Sequence, residues 1–586
     1  MFQNFRLSMA WLHTWFGLVL GYVLMACFFF GSLSVFDREI DRWAIPETRF
    51  DPQPMPSFDK LLLPIFAKLQ PNEKGYEDAL KLLMDPAVLA QGPMPPRASL
   101  KAEEYWAYTT HRDPVLRMGA DFGVPNPKDP DGHNHIGGDI TIDPRSGATL
   151  PSDKLKIGSD FFYPMHYSLH LHWKDLGYWI VGLAALVMLA ALVSGVVMHR
   201  KIFREFFTFR PKKSTQRSTL DLHNLTGVVA LPFHFFFAFT GLVIFSGIYL
   251  PVSETMLRPL AQAHEVQESA RTGLPHKAAG VAAPMASVDA MVAEAKRRWA
   301  ARDMPGEVGF LTVNHVGDSN GYVSIYRAGS DSVALVGYGV HFKAATGELL
   351  REDPPRTAVG SINEFLTGLH LQHFEHWLLR WFYVLGGLIG CVCIATGFIF
   401  FVEKRKKQHA KAGLQGSRVV DALAVATVTG MLVATLAILV ANRLLPADLP
   451  ARGDWEEACF WGAWLVALAH ALWRTAPVRA ARIAPAWREQ CWAVAALAVL
   501  AVLLNWASTG HHLLHTLGQG NWPVAGMDLS LLATAALATL AARHLRRRES
   551  GQGQPQRAEE AEHDEATTSG ALPLAGAAVA TKAAHG

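Results

Sequence analysis

Eight blocks of about 20 or more mostly apolar residues, the length that crosses a hydrocarbon core, set the first limit on this chain. They fall at roughly 11–36, 176–198, 223–250, 377–402, 419–441, 455–473, 489–507 and 524–542. Such a pattern predicts an all-α polytopic membrane protein, because in lipid a helix satisfies its backbone internally. Composition agrees: 50% of the 586 residues are hydrophobic and 18% are charged. The first block runs into Asp37-Arg38-Glu39 without a small-residue cleavage site, so we read it as a retained helix and not as a secretion signal.

Basic residues cluster in alternate loops. Arg200, Lys201, Arg204, Arg210, Lys212, Lys213 and Arg217 follow the second block, and Lys404, Arg405, Lys406 and Lys407 the fourth. Arg474, Arg479, Arg482 and Arg488 follow the sixth, and Arg543, Arg546, Arg547 and Arg548 the eighth. The positive-inside rule puts these loops and both termini in the cytoplasm of a bacterium, with the intervening loops in the periplasm. All five cysteines (Cys27, Cys391, Cys393, Cys459, Cys491) sit in apolar blocks, which argues against disulfides and against a thiolate-held iron–sulfur cluster. The net charge of +3 gives no reason to expect a nucleic acid partner; the partner it does require is the lipid bilayer.

The chain divides into a first helix (1–36), an outer polar segment (37–165), two helices with a basic loop (166–250), a second outer segment (251–368), a fourth helix (369–405), four appended helices (406–548) and a tail (549–586) whose composition predicts disorder. Each outer segment has room for a small α+β module. Each ends alike, in Asp139–Leu150 (DITIDPRSGATL) and Val340–Leu350 (VHFKAATGELL), with Gly147 and Gly347 200 residues apart. In the second, Ser287–Arg302 reads as a helix and Gly321–Tyr326 as a strand.

The likeness extends into the membrane. Leu12-His13-Thr-Trp-Phe-Gly17 matches Leu222-His223-Asn-Leu-Thr-Gly227 at an offset of 210, and Phe29-Phe30-Gly31 matches Phe239-Thr240-Gly241 at the same offset. Leu169-His170-Leu171 matches Leu369-His370-Leu371 at 200, and Ser194-Gly195 matches Thr396-Gly397 at 202. The first four spans are therefore a duplicated unit of helix, outer module, helix.

Topology sorts the repeated histidines by depth: His13 and His223 lie at the cytoplasmic face, His170 and His370 at the periplasmic face. One imidazole from each of two facing helices supplies both axial ligands of a haem, and an iron so capped suits electron transfer. A single histidine at a helix end is ordinarily an interfacial residue, but here the duplication has kept histidine while its surroundings changed. His234 lies 11 residues past His223, about 16 Å along a helix axis, and is a candidate second ligand, proton acceptor or supporting group. His199 is an alternative at the cytoplasmic level, and His166, His172, His373 and His376 crowd the periplasmic one. His511, His512 and His515 form a loop cluster able to bind a metal, His133 and His135 read as solvated loop, and Trp173, Trp179, Trp377 and Trp381 fit an interfacial aromatic belt. Dinucleotide, P-loop, zinc-protease and nucleophile-elbow motifs are absent, so an electron donor must be another molecule.

In combination, the Leu-His-x-x-x-Gly helices, the Leu-His pairs and the paired outer modules resemble the PepSY-associated transmembrane family over about residues 8–405. That family includes inner-membrane ferric-siderophore reductases. The resemblance implies two b-type haems in a four-helix core, two PepSY modules outside, and His13, His223, His170 and His370 as ligands. It implies a ferric siderophore as electron acceptor and a cytoplasmic reductase or a quinol as donor. Some relatives carry a fused flavin and nicotinamide region; this chain has four further helices instead. A non-catalytic PepSY protein that binds a peptide or regulates a partner is one alternative, and a siderophore or metal transporter is another.

Overall fold

The computed structural model describes residues 2–83, 96–124, 134–150, 154–199, 203, 207–249, 274–275, 277–334, 337–354, 357–475 and 485–551. The tail beyond 551, His133, Arg200, Lys201, Arg204, Arg479 and Arg482 lie outside them. Among the described residues, five helices are long and apolar enough to cross a membrane, and two bent helix pairs bring the number to seven. The sixth expected block is also a helix, Arg452–Arg474, whose first turns carry Arg452, Asp454, Glu456 and Glu457, and it is not among the helices apolar enough to span.

The two bent pairs are the broken first and third spans. In the first, α1 (Phe2–Val19) and α2 (Gly21–Ser34) meet at 59°. A short helix, α3 (Asp37–Ala44), continues outward from it, and α4 (Tyr163–Tyr167) and α5 (Leu176–Met198) complete the first unit. In the second unit α6 (Thr215–Val229) and α7 (Leu231–Ile244) meet at 64°. The breaks fall at Leu20 (φ −93°, ψ −7°) and Ala230 (φ −95°, ψ 9°), 210 residues apart and in the same bridge conformation. Pro232 explains the second: it has no N–H to donate and its ring clashes with the preceding turn. At the first, Gly21 lets α2 approach a neighbour, since a Cβ there would stand 3.0 Å from the Phe398 ring.

An outer helix, α8 (Val288–Ala300), is followed by α9 (Ala358–Leu371) and the long α10 (Trp377–Lys411). The bends exchange partners. On one side of the bends α1 packs on α5 and α6 on α10, each within its own unit; on the other side α2 packs on α10 and α7 on α5. Each broken helix therefore joins the two halves of the core.

The two long polar segments, each expected to form a small α+β module, join their strands in one sheet. The strands β1 (Ala102–Tyr108), β2 (Leu116–Val124) and β3 (Asn134–Ile142) come from the first segment, and β4 (Val308–Asn314), β5 (Tyr322–Arg327), β6 (Gly339–Lys343) and β7 (Leu349–Glu352) from the second. They form one antiparallel sheet in the order β3-β2-β1-β4-β5-β6-β7. Pairing β1 with β4, Trp106 opposite Thr312, removes one edge from each half. Helix α8 buries Val288, Met291, Ala295 and Trp299 against the sheet core. The halves also cap each other's helices: Asp59 accepts from the Val288 amide at 3.0 Å and Asp289 from the Phe58 amide at 2.7 Å.

Beyond the core, α11 (Gly416–Val425) and α12 (Met431–Leu444) form one span around a π-helical turn at Ala426–Gly430. With α13 (Arg452–Arg474), α14 (Pro485–Thr509) and α15 (Trp522–Gly551) they make the appended helical bundle.

Candidate functional site

The structure brings four histidines together as two pairs. At the inner level His13 of α1 and His223 of α6 face each other with ring centres 6.1 Å apart and planes at 83°. His13 Nδ1 is 2.9 Å from the Ala191 carbonyl oxygen and His223 Nδ1 is 2.8 Å from that of Cys393. A carbonyl only accepts, so each Nδ1 carries the proton and each Nε2 keeps a bare lone pair. Ala191 and Cys393 are 202 residues apart, as are Gly195 and Gly397. Each of these glycines lies against a ring, where an added Cβ would stand in ordinary contact, 3.4 Å from Cε1 of His13 or of His223.

At the outer level the pair is His166 of α4 and His370 of α9, with ring centres 6.2 Å apart and planes at 35°. His166 Nδ1 donates to the Cys27 carbonyl at 2.8 Å. The Thr240 hydroxyl donates to the Phe236 carbonyl at 2.9 Å, which leaves its lone pair to accept from His370 Nδ1 at 2.7 Å. Both Nε2 atoms are again unprotonated. Gly31 and Gly241, the glycines of the repeated Phe-x-Gly motif, lie beside these rings; a Cβ at Gly31 would meet His166 Nδ1 at 2.7 Å, and one at Gly241 would meet His370 Cε1 at 3.3 Å. A cavity of about 470 Å³ opens between the pair, walled by apolar and aromatic groups including Phe28, Phe237, Tyr178, Tyr249 and Met188.

Above this cavity the chain leaving α2 is tied down by arginines. The Val35 carbonyl accepts from Arg380 at 2.6 Å and from Arg112 at 3.0 Å, and both arginines also pair with Glu39, at 2.9 and 2.8 Å. Burial alone would raise the Glu39 carboxyl, but the two guanidiniums outweigh it and hold it down to about 2.

His170 does not join His370. Helix α4 stops at Tyr167, and Leu169 and His170 turn away through positive φ (52° and 54°), so His170 stacks on Phe161 at 4.7 Å and its Nε2 bonds the Phe161 carbonyl at 2.8 Å. The histidine that faces His370 is thus His166, one turn before the His170 that the repeat singles out. The repeated glycine carried the missing signal, for Gly31 is where His166 needs space.

His172 is exposed, edge-on to His170 at 5.8 Å. His199 follows α5 within electrostatic reach of the inner pair. His373 lies near Arg112, Asp37 and Arg38, and His376 Nδ1 accepts from the Leu379 amide at 3.3 Å at the start of α10. His234 is 2% exposed, its ring 5.1 Å from that of Phe28, with Nε2 lacking a hydrogen-bond partner. Nε2 lies 3.1 Å from where a Cβ would stand on Gly390, which sits on α10 between Gly397 of the inner level and Gly387 of the outer cavity. His511 and His515 are 5.3 Å apart, but among the described residues no three histidine, cysteine or acidic side chains converge as a metal site.

The residues fit a haem at each level. An imidazole nitrogen bonds a metal ion at about 2 Å and lies about 1 Å from its ring centre, so rings on opposite sides of one iron stand about 6 Å apart. Both pairs meet that spacing. All four Nδ1 atoms are occupied by a fixing hydrogen bond, the arrangement metal-bound histidines use to set ring orientation.

Comparison with known proteins gives two findings. The family model described as PepSY-associated TM region matches residues 10–404. An uncharacterised protein of Pseudomonas aeruginosa is 28% identical over 397 residues, which cover 64% of this chain and 92% of that protein.

Proposed function

The chain belongs to the PepSY-associated TM region family, and on that premise we propose that it is a di-haem b electron carrier of a bacterial inner membrane that reduces ferric siderophores at the periplasmic side. In this reading the chain crosses the membrane eight times, both termini are cytoplasmic, and the seven-stranded sheet lies in the periplasm. The donor is a cytoplasmic reductase or a quinol.

The observation that carries the reading is the double pair: two imidazoles with ring centres about 6 Å apart at each of two levels, each with its Nδ1 already engaged. His13 and His223 would hold the inner haem, and His166 and His370 the outer. Haem with both axial positions filled supplies one-electron redox chemistry and no open site for a substrate. The chain's own part is to orient and insulate. The Ala191, Cys393 and Cys27 carbonyls and the Thr240 hydroxyl hold the Nδ1 protons in place, and the aromatic wall of the outer cavity keeps water from the ring nitrogens. A ferric chelate reduced at the outer face loosens, because hard oxygen ligands hold ferric iron more strongly than ferrous.

An absorption spectrum with haem quantitation tests this. Purified protein from porphyrin-replete cells is expected to contain two haems b whose Soret band shifts on reduction. His13→Ala and His223→Ala each remove one, His166→Ala and His370→Ala each remove the other, and His170→Ala removes neither. A colourless preparation overturns the reading and leaves a binding role for the outer sheet.

A further inference from the structure

The family match ends at residue 404, yet the largest apolar core joins what lies beyond it to the outer histidine pair. Phe460 of α13 is fully buried, 4.9 Å from the ring of Phe161 and 6.0 Å from that of Phe30. Both contacts adjoin the site. Phe30 precedes Gly31, the glycine against which His166 rests. Phe161 belongs to the π-helical turn Ile157–Phe162 that runs directly into α4, and Phe162 closes back on Phe30 at 5.6 Å. Met165, next to His166, shares this core with Met431, Val494 and Val524 of the appended bundle.

Polar contacts lock the same interface. The Trp43 indole donates to the buried Asp528 at 2.8 Å, Arg49 donates to the buried Asn505 at 2.8 Å, and Arg443 donates to the Ala44 carbonyl at 2.7 Å while lying over the Trp43 ring. The other outer ligand is held differently: His370 packs on Phe237 at 5.2 Å and bonds Thr240, both of α7.

We infer that the appended bundle is a positioning element for the outer site, acting through Phe460 on the segment from Ile157 to His166. The inference rests on the haem reading above. The six-residue π-helical turn and the five-residue α4 that follows it make a helical stretch too short to be stable alone, so the place of His166 over Gly31 depends on packing against it, to which Phe460 on Phe161 contributes. Phe460 is a positioning residue and touches neither ligand ring.

The test uses the full-length haem-loaded protein and follows haem transfer to excess apomyoglobin, with the two haems assigned beforehand from the His13→Ala and His166→Ala spectra. In Phe460→Ala the outer haem is expected to leave at least tenfold faster while the inner haem leaves at the wild-type rate, and its low-spin resonance signature should broaden or shift. Phe460→Leu should restore most of the retention. Leu465→Ala, on an exposed face of the same helix, should change nothing. If Phe460→Ala does not assemble, the same asymmetry is read in Phe460→Leu. Unchanged outer-haem release, or equal loosening of both haems, overturns the inference and leaves the haem reading standing; a wild type without haem overturns both.

Discussion

At the inner level both histidines ride helices of 15 residues or more, α1 and α6, and both are anchored by backbone carbonyls at equivalent points of the repeat. At the outer level His166 sits on a five-residue helix and His370 at the end of a 14-residue one, and their anchors are a carbonyl and a hydroxyl. The inner pair is thus anchored chiefly on the main chain at both rings, with the Ser194 hydroxyl at a longer 3.3 Å from His13 Nδ1. The outer site has kept the spacing of its rings while losing the symmetry of its supports, and depends on neighbours from α3, the sheet and the appended bundle. Two sites of similar ring geometry should therefore differ in how easily they are broken.

The largest expected effect comes from adding one methyl group at matched places. At Gly31 a Cβ would lie 2.7 Å from His166 Nδ1, against 3.4 Å from His13 Cε1 at Gly195. The first requires His166 to move and the second is ordinary contact. Gly31→Ala should lose most of the outer haem and none of the inner, and Gly195→Ala should keep both; haem quantitation with assigned spectra decides. Loss from Gly195→Ala, or retention in Gly31→Ala, would remove the contrast.

A smaller effect is expected at Thr240, whose hydroxyl accepts from His370. Thr240→Val keeps the shape but leaves a buried N–H without a partner, at a cost of about 1–3 kcal/mol. The outer haem should dissociate roughly tenfold faster, and Thr240→Ser should restore the wild-type rate. The inner counterpart, Ser194→Ala, should matter less, because His13 Nδ1 keeps the Ala191 carbonyl at 2.9 Å when the hydroxyl at 3.3 Å is lost.

The contrast also explains what could be read without coordinates. Helix length and hydropathy made most spans legible, and the offset of 210 joined His13 to His223 and Gly31 to Gly241. Local order carried these signals. The pairing of β1 with β4 brings together Trp106 and Thr312 across two membrane spans, and no local pattern announces it. The choice of His166 over His170 rests on a left-handed turn at Leu169 and His170, two residue types that rarely adopt it. The bend at Leu20 was equally hidden, while Pro232 marked its counterpart. Where tertiary packing overrides local preference, the sequence pattern alone does not show which of two histidines a turn apart faces His370.

The smallest expected effect concerns the stem that carries the outer level. Asp41 Oδ1 accepts from the amides of Gly158 at 2.7 Å and Ser159 at 3.3 Å, at the start of the turn leading to His166. Burial pushes its carboxyl from 3.8 up to about 7, with Arg38 opposing. A raised acid binds its proton more tightly folded than unfolded, so its contribution favours the fold below about pH 4 and is lost as pH rises through about 7. Above that pH the protein carries a buried carboxylate. Asp41→Asn keeps an accepting oxygen for both amides and removes the charge, so it should raise the melting temperature by about 2 °C at pH 8 and by less at pH 5, where the folded wild-type carboxyl is neutral and only the unfolded chain ionises. A melting curve at the two pH values checks the difference. Equal shifts at both would mean that Asp41 stays ionised throughout, and that the outer level is held by charge at this point as it is at Glu39.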